Sequence, residues 1–251
     1  MRRSEAGMTR RVQLLCAWGA PVSMIAFAVG WVGFAGFLPP LSPSDNAAVI
    51  ADIFAERRTG IRFGAIIMMV GTMFWIPWAA VVAAQPRRTE RDRGVLPQTQ
   101  VGCAVAATAI VIIAMLIWVV AAFRPDRSPE LIQTLSDLGF VISIMPFAVF
   151  CVWNVALGLA IFADDGPAPA YPRWSAYLCM WTALLYVPGG ALAFFQTGPL
   201  AWNGAFAFFL PAVAFFIWLI VMTVLTLRSI NRPPGADHEF STIPTSRQVP
   251  A

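Results

Sequence analysis
The chain has 251 residues, of which 59% are hydrophobic and only 12% charged, with a formal net charge of +4. A soluble domain is under half apolar and about a quarter charged. Too little polar surface is left here to wet a globule, which excludes a soluble enzyme, a disordered chain and a nucleic-acid binder and places the protein in a lipid bilayer.

Six runs, uncharged apart from Arg62 at the edge of the second, are long enough to cross the hydrocarbon core as helices: about 13–37, 62–84, 100–123, 138–163, 175–195 and 205–227. Arg2, Arg3, Arg10 and Arg11 precede the first, as in a signal peptide. Its apolar stretch is too long for one and runs into Leu38-Pro39-Pro40 without a small-residue cleavage site, so a retained span is expected. Residues 1–228 read as one membrane domain. The tail 229–251, with Pro233-Pro234-Gly235 and few apolar residues, reads as disordered. The expected fold is an all-α, six-helix transmembrane bundle.

All 17 basic residues are Arg. Twelve of them fall on the side that holds both termini, the loop 86–98 and the loop near Arg173; Arg57, Arg58, Arg62, Arg124 and Arg127 fall on the other. The positive-inside rule then predicts cytoplasmic termini in a bacterial cytoplasmic membrane.

Two outward connections share a start signal. Phe37-x-Pro39-x-x-Ser42-Pro43 recurs as Phe123-x-Pro125-x-x-Ser128-Pro129. In each, Ser can cap a helix whose first turn holds Pro and whose positive dipole end meets Asp45 or Glu130. The residues that follow are amphipathic, predicting two short helices on the outer membrane surface, either as connectors or as covers over a ligand entrance. A second self-similarity, at an offset of 111, aligns Met69, Pro77 and Gln85 with Met180, Pro188 and Gln196. Spans two and five run oppositely by alternation, which is the arrangement of an inverted repeat.

The interiors of the six spans contain no Asp, Glu, Arg or His, and the one histidine, His238, lies in the tail. Haem or iron ligation, a Ser/His nucleophile and a carboxylate proton relay are therefore not expected, and neither catalysis nor a cofactor is. Arg62 and Asp137, at the outer starts of spans two and four, are candidates for a structural pair or for snorkelling to the interface. Asp164-Asp165 reads as solvated loop charge. Cys16, Cys103, Cys151 and Cys179 lie in apolar runs and read as reduced thiols.

Asn154 is the most informative polar residue, because an amide at that depth must find partners. Trp75, Trp78 and Trp153 fall at a comparable depth. Two readings stand side by side: an aromatic cavity for a neutral ligand, or helix–helix packing with Asn154 bonded to a backbone carbonyl. Pro21 and Pro77 are placed at that level, with Pro146, Pro188 and Pro211 nearer the outer side, Gly189-Gly190 following Pro188. Each proline predicts a kink and a freed carbonyl. Trp31, Trp174 and Trp202 read as interfacial belts.

Several stretches between Phe123 and Gly204, among them Arg124-Pro125, Asp137-Leu138-Gly139, Asn154-Val155-Ala156, Pro188-Gly189-Gly190 and Ala201-Trp202-Asn203-Gly204, carry a resemblance. Together they resemble an uncharacterised multi-pass membrane family of actinobacteria and some proteobacteria. The resemblance implies a membrane location and carries over no activity. The expected function is binding, or helping to move, a small neutral hydrophobic molecule, with Trp75, Trp78, Trp153, Asn154, Pro188 and Gly189 as its site. The alternative is an accessory subunit of a membrane complex. Expected partners are the lipid bilayer, such a ligand, and a second copy or another membrane protein.

Overall fold
A computed structural model describes residues 2–86, 94–166 and 168–232, with the side chains of 2–8 set apart. Among the described residues every regular element is helical. Six helical stretches are long and apolar enough to span a bilayer: Thr9–Phe34, Arg58–Ala84, Val95–Ala121, Pro129–Ala163, Trp174–Phe194 and Ala205–Asn231. The chain is a multi-pass membrane protein with an all-α bundle.

Proline punctuates these spans. Span one is α1 (Arg2–Ala17) and α2 (Gly19–Phe27), parted at Trp18 three residues before Pro21, and it ends in a π-helical segment, Ala28–Phe34. Span two is α4 (Arg58–Met73) and α5 (Trp75–Ala84), parted at Phe74 three residues before Pro77. Span three, α6 (Val95–Ala121), has proline only in its first turn and runs unbroken. Span four divides at Pro146 into α7 (Pro129–Ile144) and α8 (Phe147–Ala163). Span five passes from α9 (Trp174–Tyr186) into a 3₁₀ segment, Val187–Phe194, just before Pro188. Span six begins as a second π-helical segment, Ala205–Phe209, and becomes α10 (Leu210–Asn231) at Pro211. A missing N–H and a ring that crowds the preceding turn account for the changes just before Pro21, Pro77, Pro146, Pro188 and Pro211, whereas the first π segment, Ala28–Phe34, contains no proline.

At one end, Arg10 donates to the Asn231 side chain and Arg232 Nη1 donates to the Pro169 carbonyl at 2.7 Å. The two ends of the described chain thus share one end of the bundle, as an even number of spans requires. The connections 35–57, 122–128 and 195–204 gather at the opposite, capped end, where Trp202 Nε1 donates to Leu41 O at 2.8 Å and Gln133 Nε2 to Asp45 O at 3.0 Å.

The amphipathic segments differ from expectation in an instructive way. The first is helix α3 (Ala47–Glu56), but its cap is Asn46, whose side chain accepts from Val49 N, and not Ser42. The second is capped by Ser128, with Pro129 and Glu130 in its first turn, as expected. It does not end, however. Nothing between Leu131 and Ile144 interrupts it, so it continues as α7 into span four. At about 1.5 Å per residue the 35-residue stretch 129–163 outreaches a core of roughly 30 Å, so its first turns stand beyond the hydrocarbon. There α7 packs on α3, and the faces carrying Ile50, Phe54, Ile132 and Ser136 are buried within protein. These segments form a cap, not two rafts on lipid.

Of the two readings offered for Arg62 and Asp137, a structural pair or snorkelling to the interface, no hydrogen bond or ion pair among the described residues supports the first. Each is half-buried, and their helices α4 and α7 both pack on α6. The guanidinium engaged nearby belongs to Arg57, whose Nη1 donates to Gly36 O at 2.6 Å. Gly36 has φ +65° and a Cβ there would strike that guanidinium, so glycine alone suits the turn. Helix α10 extends through Asn231, three residues into the stretch expected to be disordered; the rest of the tail lies outside the described residues.

Candidate functional site
The aromatic layer expected from depth is present, but packed solid. Trp78, Trp153 and Trp218 meet edge to face, with ring centroids 6.1 Å (78–153), 5.2 Å (78–218) and 5.5 Å (153–218) apart. All three are buried, and Trp78 Nε1 donates to Thr223 Oγ1 at 3.0 Å. Trp218 escaped the sequence reading although it lies 13 residues into a run starting at 205, at matching depth. Asn154 Nδ2 donates to Phe150 O in its own helix at 3.1 Å, while its Oδ1 is buried without a partner. The amide therefore neither bridges helices through that donor nor faces an open space.

The cavity lies on the capped side of this triad. Its volume is about 520 Å³, within the range of small-molecule sites. Of the six residues expected to line a site, Trp75 and Gly189 do; Trp78, Trp153, Asn154 and Pro188 do not. Depth was read correctly and rotation about the helix was not. Trp75 turns to the cavity, stacked on Phe27 at 5.7 Å and edge-on to Phe215 at 5.3 Å, whereas Trp78, three residues on, turns to the triad. Tyr186 also lines the cavity. Its hydroxyl and the Trp75 indole N–H are buried without hydrogen-bond partners.

Non-α backbone builds much of the wall. Ala28, Trp31 and Val32 come from the first π segment, Ala207, Phe208 and Phe209 from the second, and Gly189 from the 3₁₀ segment. Ile144 and Phe147 flank the break at Pro146. Irregular backbone at membrane depth is tolerated where it is buried in protein or lines a cavity, and π segments are frequent at functional sites. No charged side chain lines the cavity among the described residues.

A second aromatic layer closes the capped side. Trp31 packs edge-on to Trp118 at 5.3 Å and Phe37 at 5.7 Å and stacks on Phe208 at 5.8 Å; Phe140 stacks on Trp202 at 5.7 Å. Trp31 and Trp202 are thus parts of a plug, correcting the expectation of interfacial belts, while Trp174 is exposed. In the loop 164–173, Asp164 Oδ2 accepts from Ala170 N at 2.8 Å and braces a turn. Among the described residues no three His, Cys, Asp or Glu side chains come together as metal ligands.

No family model, no curated protein and no solved structure matches the chain.

Proposed function
We propose that this protein resides in the bacterial cytoplasmic membrane, with both termini in the cytoplasm, and binds or helps to move a small neutral hydrophobic molecule. One observation carries the reading: an apolar cavity of about 520 Å³ whose wall is built from two π segments, a 3₁₀ segment and a proline break. Proline accounts for the irregular backbone beside Pro146, Pro188 and Pro211, but the first π segment contains none, and irregular backbone at membrane depth is tolerated where it lines a cavity. The orientation rests on the distribution of arginine.

Native mass spectrometry of protein released from nanodiscs tests the reading. Neutral lipid adducts are expected on the wild type and lost on Gly189→Leu, whose side chain would enter the cavity. Adducts equally abundant on both, or absent from both, overturn it.

The alternative, an accessory subunit, draws support from α9. Tyr177, Trp181 and Leu184 are exposed at helical spacing on one face, an apolar stripe able to dock another membrane protein. A stoichiometric partner retained through mild solubilisation would favour it.

A further inference from the structure
Packed aromatic layers stand at both water-facing ends of the cavity, and its exposed lining lies on the lipid-facing surface of spans one and six, apart from Leu38 in the connection at the capped end. On the capped side stands the Trp31, Phe37, Trp118, Phe140 and Trp202 cluster; on the other side Trp75 and Phe215 rest against the Trp78–Trp153–Trp218 triad. The exposed lining residues are Ala28, Val32 and Leu38 of span one and its end, and Phe209 and Val213 of span six. Val32 is 48% and Val213 55% exposed, both on apolar membrane-spanning segments. A water-borne solute would have to cross a packed aromatic layer. A molecule already dissolved in the bilayer meets an apolar mouth that continues the lipid-facing surface.

We infer that the cavity loads sideways from the bilayer, through the mouth between the π segments of spans one and six, and that its ligand is an uncharged single-chain lipid. This rests on the binding role proposed above and adds route and ligand class. The wholly non-ionic lining offers a charged headgroup no partner, and desolvating such a group there would go uncompensated. The volume suits one hydrocarbon chain and not the two chains of a phospholipid.

The test uses the full chain in phosphatidylcholine vesicles and a hexadecanol carrying a diazirine near its tail, with adducts mapped by mass spectrometry. Adducts are expected on Trp75, Phe150 or Phe215, in competition with plain hexadecanol. Gly189→Leu should lower them at least fivefold at equilibrium; unchanged labelling there would defeat the binding role itself. Ala28→Trp and Val213→Trp, both at exposed positions, should slow labelling of these residues at least fivefold when probe-loaded vesicles are fused to protein vesicles. If both rim variants label at the wild-type rate while Gly189→Leu abolishes adducts, the cavity binds but sideways loading is wrong. Phosphatidylcholine bearing the diazirine at its chain end should leave these three residues unlabelled; equal labelling would overturn the ligand class.

Discussion

Gly30 and Gly64 face each other across the seam between spans one and two, each against the other's backbone. A Cβ on Gly30 would stand 2.7 Å from the Gly64 carbonyl oxygen, and one on Gly64 would stand 2.4 Å from that of Gly30. The same seam continues at Gly60 against Phe34 O and at Gly71 against Ala26. Lipid tails are as apolar as leucine, so helices in a bilayer hold together by close packing, which small residues permit.

Because the obstructing atoms are backbone, the seam must part if either glycine gains a methyl. Gly64→Ala is expected to cost about 1–3 kcal/mol, read as a fall of several degrees in the detergent-solubilised melting point. Gly33→Ala is the control, since a Cβ there meets nothing within 4 Å. It should shift stability by less than about 0.5 kcal/mol. Equal melting of the two variants would contradict the contact.

The triad predicts a coupled pair. Thr223→Val keeps the shape but removes the acceptor of Trp78 Nε1, leaving a buried N–H unpaired at a cost of about 1–3 kcal/mol. In Trp78→Phe the donor is already gone, so adding Thr223→Val should cost little more. A double-mutant cycle in the same melting assay should show coupling above about 0.5 kcal/mol; simple additivity would mean the hydrogen bond contributes nothing.

The two caps separate a sequence signal from its look-alike. Ser128→Ala and Asn46→Ala each remove a side-chain acceptor at a helix start and should cost about 1 kcal/mol. Ser42→Ala touches only the local turn with Ser44 and should lie within about 0.5 kcal/mol of wild type. Loss of stability in Ser42→Ala equal to that in Asn46→Ala would reverse this assignment.

Those caps also show where sequence reasoning stops. The spans were legible because long uncharged runs leave few alternatives in lipid, and the breaks were legible because proline cannot donate. Ser42 misled because Pro43, although well suited to a first turn, was followed by Ser-Asp-Asn, and the last of these took the cap. Depth along a span can be counted, so Trp75, Trp78 and Trp153 were placed in one zone. Their rotation cannot be counted once Phe74 breaks the helix, and it is rotation that sends Trp75 to the cavity and Trp78 to the core. The spacing Gly60-x₃-Gly64-x₆-Gly71 is a readable sign of the close seam, which the rarer polar residues do not mark.

Tyr171 predicts an alkaline limb in the stability of the uncapped end. It lies in the loop between Ala163 and Trp174, yet it is buried, with its hydroxyl donating to Val82 O at 3.1 Å and sharing a 2.8 Å hydrogen bond with Thr226 Oγ1. Burial holds that phenol neutral and pushes it well above its usual value of about 10. A raised value in the folded state means that the unfolded state gives up its proton first. The contribution is therefore intact below about pH 10 and is lost progressively as pH rises above it. In Tyr171→Phe the hydrogen bonds go, so stability at pH 8 should fall by about 1–3 kcal/mol. The gap between variant and wild type should then narrow steadily from about pH 10 upward, because the variant has no phenol left to ionise. A gap in melting temperature that stays constant from pH 8 to pH 11 would mean that the Tyr171 hydroxyl is open to water and does not bind Val82 and Thr226 as a dry clasp.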